Sequence, residues 1–304
     1  MPEVAVVGTT ASGKSDLAVA VARSVPGVEI VSVDSMCVYR EMDIATAKPI
    51  PAVRAEIPHH LIDLVDPDEE FTVAQFQAAA RAALADIRDR GRTPLLVGGT
   101  GLYLRAVVDD LRLPGRWPEV ACELQREADQ PDGLERLHAR LAVLDPLAAS
   151  RIGVGNRRRI VRALEVSIGS GEPFSSYGPG LGSYPPTRFR LIGIPFDPEA
   201  TDRRIAARVE GWMEAGLLRE VSALAGRPGG VSRTARQALG YRELLAHVED
   251  GVPLQDCVEA TLGRTRAFAR RQWSWFRRDP RVRWLSPGEE QVQAVARAVA
   301  GHPV

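Results

Sequence analysis

Gly8-Thr9-Thr10-Ala11-Ser12-Gly13-Lys14-Ser15 has the spacing of a complete phosphate-binding loop. It lies between a β-branched apolar run, Val4-Ala5-Val6-Val7, and a helix-forming run that begins at Asp16-Leu17-Ala18. The pattern predicts strand, loop and helix in that order, which is the setting such a loop needs. Gly8 and Gly13 let the backbone aim N–H groups at phosphate oxygens, with Thr10, Ala11 and Ser12 completing the cradle. Lys14 reaches the terminal phosphates, and the Ser15 hydroxyl can ligate Mg²⁺. Lysine is rare in this chain: Lys14 and Lys48 are the only two among 39 basic residues. At the loop, then, the sequence keeps a compact ammonium rather than a planar guanidinium fork. Read alone, the loop points to a nucleotide triphosphate and so to a kinase or ATPase.

The flanking sequence predicts an α/β fold, a parallel sheet with helices on its faces. Glu29–Val33, His60–Val65 and Thr93–Val97 read as further strands. Between the last two, Thr72 and Gln75 form a capping box that opens an alanine-rich helix running to about Arg90, with Gly91 as its stop. In such sheets ligands bind at the carboxyl ends of strands. Two strand ends carry polar residues there: Asp34-Ser35, and Gly98-Gly99-Thr100-Gly101. If both strands lie beside the first, Asp34 can accept a proton or help hold a metal, and Thr100 can orient a substrate atom. Asp34 could instead cap the turn that follows it.

From about Gly115 the texture becomes helical and charged. Residues 115–185 read as a helical insertion between a core formed by 1–114 and its completion by 186–304. Arg157, Arg158, Arg159 and Arg162 crowd one helical turn, either as phosphate-backbone contacts or as a solvated face. Arg190–Ile194 returns to strand character, and Thr201–Leu224 reads as helical. Leu262–Arg278 reads as a long helix in which arginines alternate with Phe268, Trp273, Trp275 and Phe276. Such interleaving can stack bases on aromatics, or it can pack aromatics in a core while the arginines reach solvent.

Composition bounds the function. The 304 residues carry zero formal net charge, so nucleic-acid contact has to come from local patches. Cys37, Cys122 and Cys257 are isolated and show neither disulfide nor zinc spacing, which suits a reducing cytosol. There is no basic leader and no apolar stretch of membrane-spanning length, so a cytoplasmic monomer without a membrane partner is expected.

Taken together the blocks resemble a family. The order Gly8–Ser15, Ser32-Val33-Asp34-Ser35, Asp43-Ile44-Ala45-Thr46-Ala47-Lys48-Pro49, Pro58–Asp63, Leu96–Tyr103, Arg162–Glu165, Gly240-Tyr241-Arg242 and Arg270–Trp275 is similar to that of the tRNA dimethylallyltransferases, over nearly the whole chain. The resemblance implies transfer of a dimethylallyl group from dimethylallyl diphosphate to N6 of adenosine 37, in the tRNA anticodon loop, on a P-loop fold with Mg²⁺ as cofactor. It implies that Gly8, Thr10, Ala11, Ser12, Gly13, Lys14 and Ser15 hold the diphosphate, with Mg²⁺ on Ser15. It makes Asp34, Thr100 and Lys14 the catalytic set, with Asp34 taking the amine proton and Thr100 holding the base. By the same resemblance tRNA meets Asp34, Ser35, Met36, Cys37, Thr100, Arg158, Arg159, Arg162, Gln237, Gly240, Tyr241 and Arg242. The insertion would then clamp the anticodon stem-loop.

The sequence departs from the family pattern at Thr9, where proline is common, and at Ala121, where relatives often carry an arginine that touches tRNA. Arg116 or Arg126 could compensate for the latter. The competing readings are a small-molecule enzyme, either an adenylate dimethylallyltransferase or a P-loop kinase, and a non-catalytic RNA-binding protein that has kept the loop as a relic.

Overall fold

The computed structural model describes residues 3–286 and 290–302. Six strands form one parallel sheet: β1 (Glu3–Val7), β2 (Val28–Val33), β3 (His59–His60), β4 (Thr93–Gly98), β5 (Phe189–Gly193) and β6 (Val282–Trp284). Their spatial order is β3-β2-β4-β1-β5-β6. Apolar residues run continuously through the central strands because both sheet faces are covered, and strand alternation sends neighbours to opposite sides. Ala5, Val7, Val31, Val33 and Leu96 enter one core, with Phe76 and Leu84. Val4, Val6, Ile30, Leu95 and Val97 enter the other, with Leu17 and Val21.

The first helices are α1 (Lys14–Ser24), α2 (Pro51–Glu56), α3 (Val73–Asp89) and α4 (Gly101–Val108). α3 begins as its sequence predicts: the Gln75 N–H donates to the Thr72 hydroxyl while the Thr72 N–H donates to the Gln75 side chain. Gly91, just past its end, has a φ of 67°.

Asp110–Pro185 form a compact unit of their own. It contains α5 (Pro118–Ala128), α6 (Gly133–Leu144), α7 (Pro146–Arg151) and α8 (Arg157–Ser170). Leu124, Leu137, Leu141, Ile160 and Leu164 make its core. Asp145 caps α7 by accepting from the Ala148 N–H and also holds the backbone and hydroxyl of Ser175. The chain divides at Asp110, a little before the expected 115.

The remaining helices are α9 (Pro198–Glu214), α10 (Leu217–Ala225), α11 (Tyr241–Asp250), α12 (Leu254–Phe276) and α13 (Gln291–Val299). The expected helix Thr201–Leu224 is therefore two, parted at Gly216, whose φ of 94° is left-handed. The basic helix starts earlier than Leu262 because Pro253 opens it. The run His60–Val65 is not a strand. β3 stops at His60, Leu61 and Asp63 take φ values of 64° and 57°, and only Val65 makes an isolated bridge, to Tyr39. The chain leaves the sheet there because Asp63 turns to meet Lys48 and Arg54. Among the described residues no helix is long and apolar enough to cross a membrane.

Candidate active site

β1, β4 and β2 are consecutive in the sheet, so the segments after their carboxyl ends share one edge. Of the two strands with polar ends, β4 lies beside β1, and β2, which leads to Asp34, lies one strand further out. That makes the β4 loop the link: Thr100 Oγ1 accepts from the Ser35 N–H at 3.3 Å, tying the base of the Asp34 turn to the middle strand.

In the phosphate loop Gly13 precedes α1 with a φ of 84°, a conformation that suits glycine. Gly8 serves differently, since a Cβ there would come within 2.8 Å of Ser12 Oγ. Ala11 holds a φ of 58°, a strained value for a residue with a side chain. The Thr9 and Ser12 hydroxyl oxygens are buried without partners among the described residues. The helix begins at Lys14 itself, so the unpaired N–H groups of its first turn and the positive end of its dipole face the loop.

Lys14 Nζ donates to the Thr9 carbonyl at 3.1 Å. Burial lowers its pKa to about 8, against the opposing pull of Asp34 and with help from the positive charge of Arg208. Arg208 lies on α9, where its spacing in the sequence marks a helix and no site role. Its guanidinium reaches Thr10 Oγ1 at 3.5 Å, and burial lowers its pKa as well. Two half-buried cations with depressed pKa values at one loop suit an anion. Thr10, expected in the cradle, directs its own N–H elsewhere, to Gln272 Oε1 at 2.7 Å.

Asp34 caps the turn that follows it, one of the two roles its position allows. Oδ1 accepts from the Met36 N–H at 2.8 Å and from the Cys37 N–H at 3.4 Å, capping the turn. Oδ2 has no hydrogen-bond partner among the described residues, so the carboxylate is oriented by one oxygen while the other is unengaged. Met36 is half-buried. Cys37 is buried: its thiol donates to the Thr46 carbonyl at 3.5 Å, and burial together with the Asp34 charge raises its pKa. That thiol faces the interior, and the backbone of Cys37 is engaged as well: its N–H donates to Asp34 and its carbonyl accepts from the Asp63 N–H.

Lys48 has another use. Its ammonium donates to the Tyr39 carbonyl, Asp43 and Asp63, each at 2.6 Å, and its side chain is 3% exposed. Three acceptors around one point suit an ammonium and not a planar guanidinium. Lys48→Met should lower unfolding stability by about 1–2 kcal/mol, because the Tyr39 carbonyl loses its donor and Asp43 and Asp63 lose their shared cation. Chemical unfolding checks this, and a loss below about 0.5 kcal/mol, the range of an ordinary surface change, would contradict it.

The expected RNA-facing residues separate into two groups. Arg158 and Arg159 are exposed and have no side-chain partner among the described residues. Arg157 is paired with Asp129 and the Gln125 carbonyl. Arg162 is committed internally: it donates to the Pro114 and Gly115 carbonyls and pairs with Glu165, which also accepts from the Trp117 N–H. Gln237 and Arg242 are exposed, whereas Gly240 is buried and Tyr241 is 1% exposed. The Tyr241 hydroxyl donates to Glu220, which accepts from the Asp43 and Ile44 N–H groups and whose pKa burial raises. Tyr241 thus supports the Asp43 segment rather than the surface. Ala121 lies in α5, and Arg116 and Arg126 are both exposed and unpaired among the described residues.

No group of three or more His, Cys, Asp or Glu residues able to hold a metal occurs among the described residues. Mg²⁺ bound to a phosphorylated ligand needs little from the protein, since phosphate oxygens and waters fill most of its octahedron. The exposed Ser15 hydroxyl at the start of α1 fits that limited demand.

Residues 37–279 match the family model described as IPP transferase. A tRNA dimethylallyltransferase of Kineococcus radiotolerans is 50% identical, over 94% of this chain and 90% of its own. One from Desulforudis audaxviator is 45% identical, over 95% and 93%. Among solved structures, the full-length tRNA isopentenylpyrophosphate transferase of Bacillus halodurans aligns with a TM-score of 0.71 at 35% identity, covering 99% of this chain and 96% of that one. A eukaryotic dimethylallyltransferase acting on tRNA aligns over 100% of this chain and 81% of its own, with a TM-score of 0.77 at 25% identity.

Proposed function

The chain belongs to the IPP transferase family and is a tRNA dimethylallyltransferase, and on that premise we propose how its residues divide the reaction, which moves a dimethylallyl group onto N6 of adenosine 37. The loop is a handle for a leaving group. As the allylic carbon–oxygen bond breaks, its electron pair leaves with the diphosphate. Lys14, Arg208 and the N-terminus of α1 stabilise that growing charge. Ser15 would hold Mg²⁺, which would supply further neutralisation of the leaving group.

The adenine amine is a weak nucleophile and too weak an acid to be ionised beforehand. Its proton leaves as, or after, N6 bonds to the allylic carbon, and it passes to Asp34 Oδ2. Thr100 holds the base against the same strand edge. The observation that carries this division is the adjacency of the three loops, with a cationic pair on one and an oriented carboxylate on another. A base stacked in the anticodon loop cannot reach that edge, so it is extruded, which a single-stranded loop allows at modest cost. The site operates where tRNA is modified, in the cytoplasm.

A diphosphate assay tests the reading: each dimethylallyl group incorporated should release one diphosphate, with no nucleotide triphosphate consumed. Phosphate transfer from ATP without prenyl transfer would instead favour the kinase.

Tight placement of the stem-loop falls to exposed cations. Arg158→Ala with Arg159→Ala should weaken tRNA binding and flatten its dependence on log salt concentration by about 1.5 in slope, since each phosphate contact contributes about 0.7–0.9. Titrations at several salt concentrations decide this; an unchanged slope marks a solvated face. Arg162→Ala should disturb the Pro114–Trp117 segment and lower the stability of the Asp110–Pro185 unit.

A further inference from the structure

Gln272 sits on α12 with 6% exposure, between the two strand-end loops that the reaction has to hold together. Its Oε1 accepts the Thr10 N–H at 2.7 Å, and its Nε2 donates to the Gly99 carbonyl at 2.9 Å. Thr10 belongs to the loop after β1, and Gly99 immediately precedes Thr100 in the loop after β4. One planar amide therefore spans the leaving-group side and the acceptor side of the site. The fit is close: a Cβ on Gly99 would lie 2.3 Å from Gln272 Nε2, so only glycine leaves room for the amide. One turn further along the helix, the Trp275 indole fills the place that a Gly101 side chain would take. Both loops thus rest on α12, and Gln272 is the only described side chain that hydrogen-bonds to the backbone of each.

The chemistry explains why an amide is needed. Thr10 presents a donor and Gly99 an acceptor, so the bridging group has to accept at one atom and donate at the other. A carboxylate offers two acceptors and faces the Gly99 carbonyl with like polarity. An aliphatic chain of the same size satisfies neither group and leaves two buried backbone groups unpaired. We propose that Gln272 is a positioning residue for prenyl transfer, setting the separation between the diphosphate loop and the Thr100 loop and hence the distance over which N6 attacks the allylic carbon. The proposal rests on the division of the site given above, in which the loop holds diphosphate and Thr100 holds the base.

Transfer across a fixed gap is sensitive to misplacement, and a displacement of about 1 Å can cost up to about 100-fold in rate. Both ends of the Gln272 amide are taken by the two loops. Its loss should therefore appear in the bound-state step and not in affinity.

Single-turnover transfer with saturating dimethylallyl diphosphate and full-length tRNA tests this on Gln272→Leu and Gln272→Glu, with tRNA Kd and Tm measured on the same preparations. Gln272→Leu should lose about tenfold or more in rate, with tRNA Kd unchanged. Gln272→Glu should be similarly slow at pH 8 and recover relative to wild type as the pH falls, because the protonated carboxyl again accepts at one oxygen and donates at the other. The Gln272→Leu to wild-type ratio should stay flat with pH. A Gln272→Leu rate equal to wild type, or a Gln272→Glu ratio that does not change with pH, overturns the proposal. If Gln272→Leu does not fold, the pH ratio of Gln272→Glu decides alone. Asp34→Ala in the same assay separates the two levels. If it transfers at the wild-type rate, the division of the site fails. If it is inactive while Gln272→Glu behaves as wild type, only the role of Gln272 fails.

Discussion

Asp34→Ala should slow single-turnover dimethylallyl transfer by about 10²–10⁴-fold, the range lost with a positioned general base, while tRNA Kd stays near wild type. The structure separates these effects. Oδ1 carries the structural work, accepting from the Met36 and Cys37 N–H groups. Oδ2 has no partner among the described residues and is available to the substrate amine. Asp34→Asn sharpens the test. Its amide oxygen can keep the turn cap, and its nitrogen cannot take a proton, so the fold and tRNA affinity should persist while transfer stays slow. Parallel loss of rate and affinity in both variants would assign Asp34 to the turn and remove it from proton transfer.

The second large effect belongs to Lys14. Lys14→Ala should reduce kcat/KM for dimethylallyl diphosphate by about 10²–10³-fold, as expected on removing a donor from developing oxyanion charge. Its pH dependence is more specific. Burial brings Lys14 to about 8, so it is cationic below that value and neutral above it. Diphosphate binds the cationic form. kcat/KM for the diphosphate should therefore be flat in this respect below pH 8 and fall by roughly tenfold per unit above it. Lys14→Arg keeps its charge throughout, so that decline should vanish even though the fork fits the loop poorly and lowers the rate. A wild-type profile that stays flat to pH 9.5 would mean that the ammonium does not bear on the leaving group.

What could be read from the sequence follows the range of the interactions. The phosphate loop, the strand before it and the capping box of α3 are set by neighbours within a few residues, and they stand where the sequence puts them. Asp34 and Thr100 could be found because a polar residue ending an apolar strand is a local signal. Their relation to β1 could not, since the crossovers that place β4 between β1 and β2 leave no mark in spacing. The loop contacts of Arg208 and Gln272 leave no local mark for the same reason: their partners in the loop lie 198 and 262 residues away.

Charge and rarity misled in instructive ways. Lys48 is conspicuous as the second lysine, and the fold gives it a three-acceptor socket. The Arg157–Arg162 cluster reads as one basic patch. In the fold Arg157 and Arg162 hold the protein together while Arg158 and Arg159 stay free. The resemblance sets Tyr241 among the tRNA-facing residues; burial of its ring and its bond to Glu220 place its side chain in the support of the Asp43 segment.

The identity of the acceptor bears most directly on the whole account. Full-length tRNA and free AMP, offered together with isotopically labelled dimethylallyl diphosphate, can be digested after reaction and resolved by mass spectrometry. The account predicts one labelled dimethylallyl group on the adenosine at position 37 of the tRNA and none on AMP. Label on AMP alone, or on neither, would contradict it.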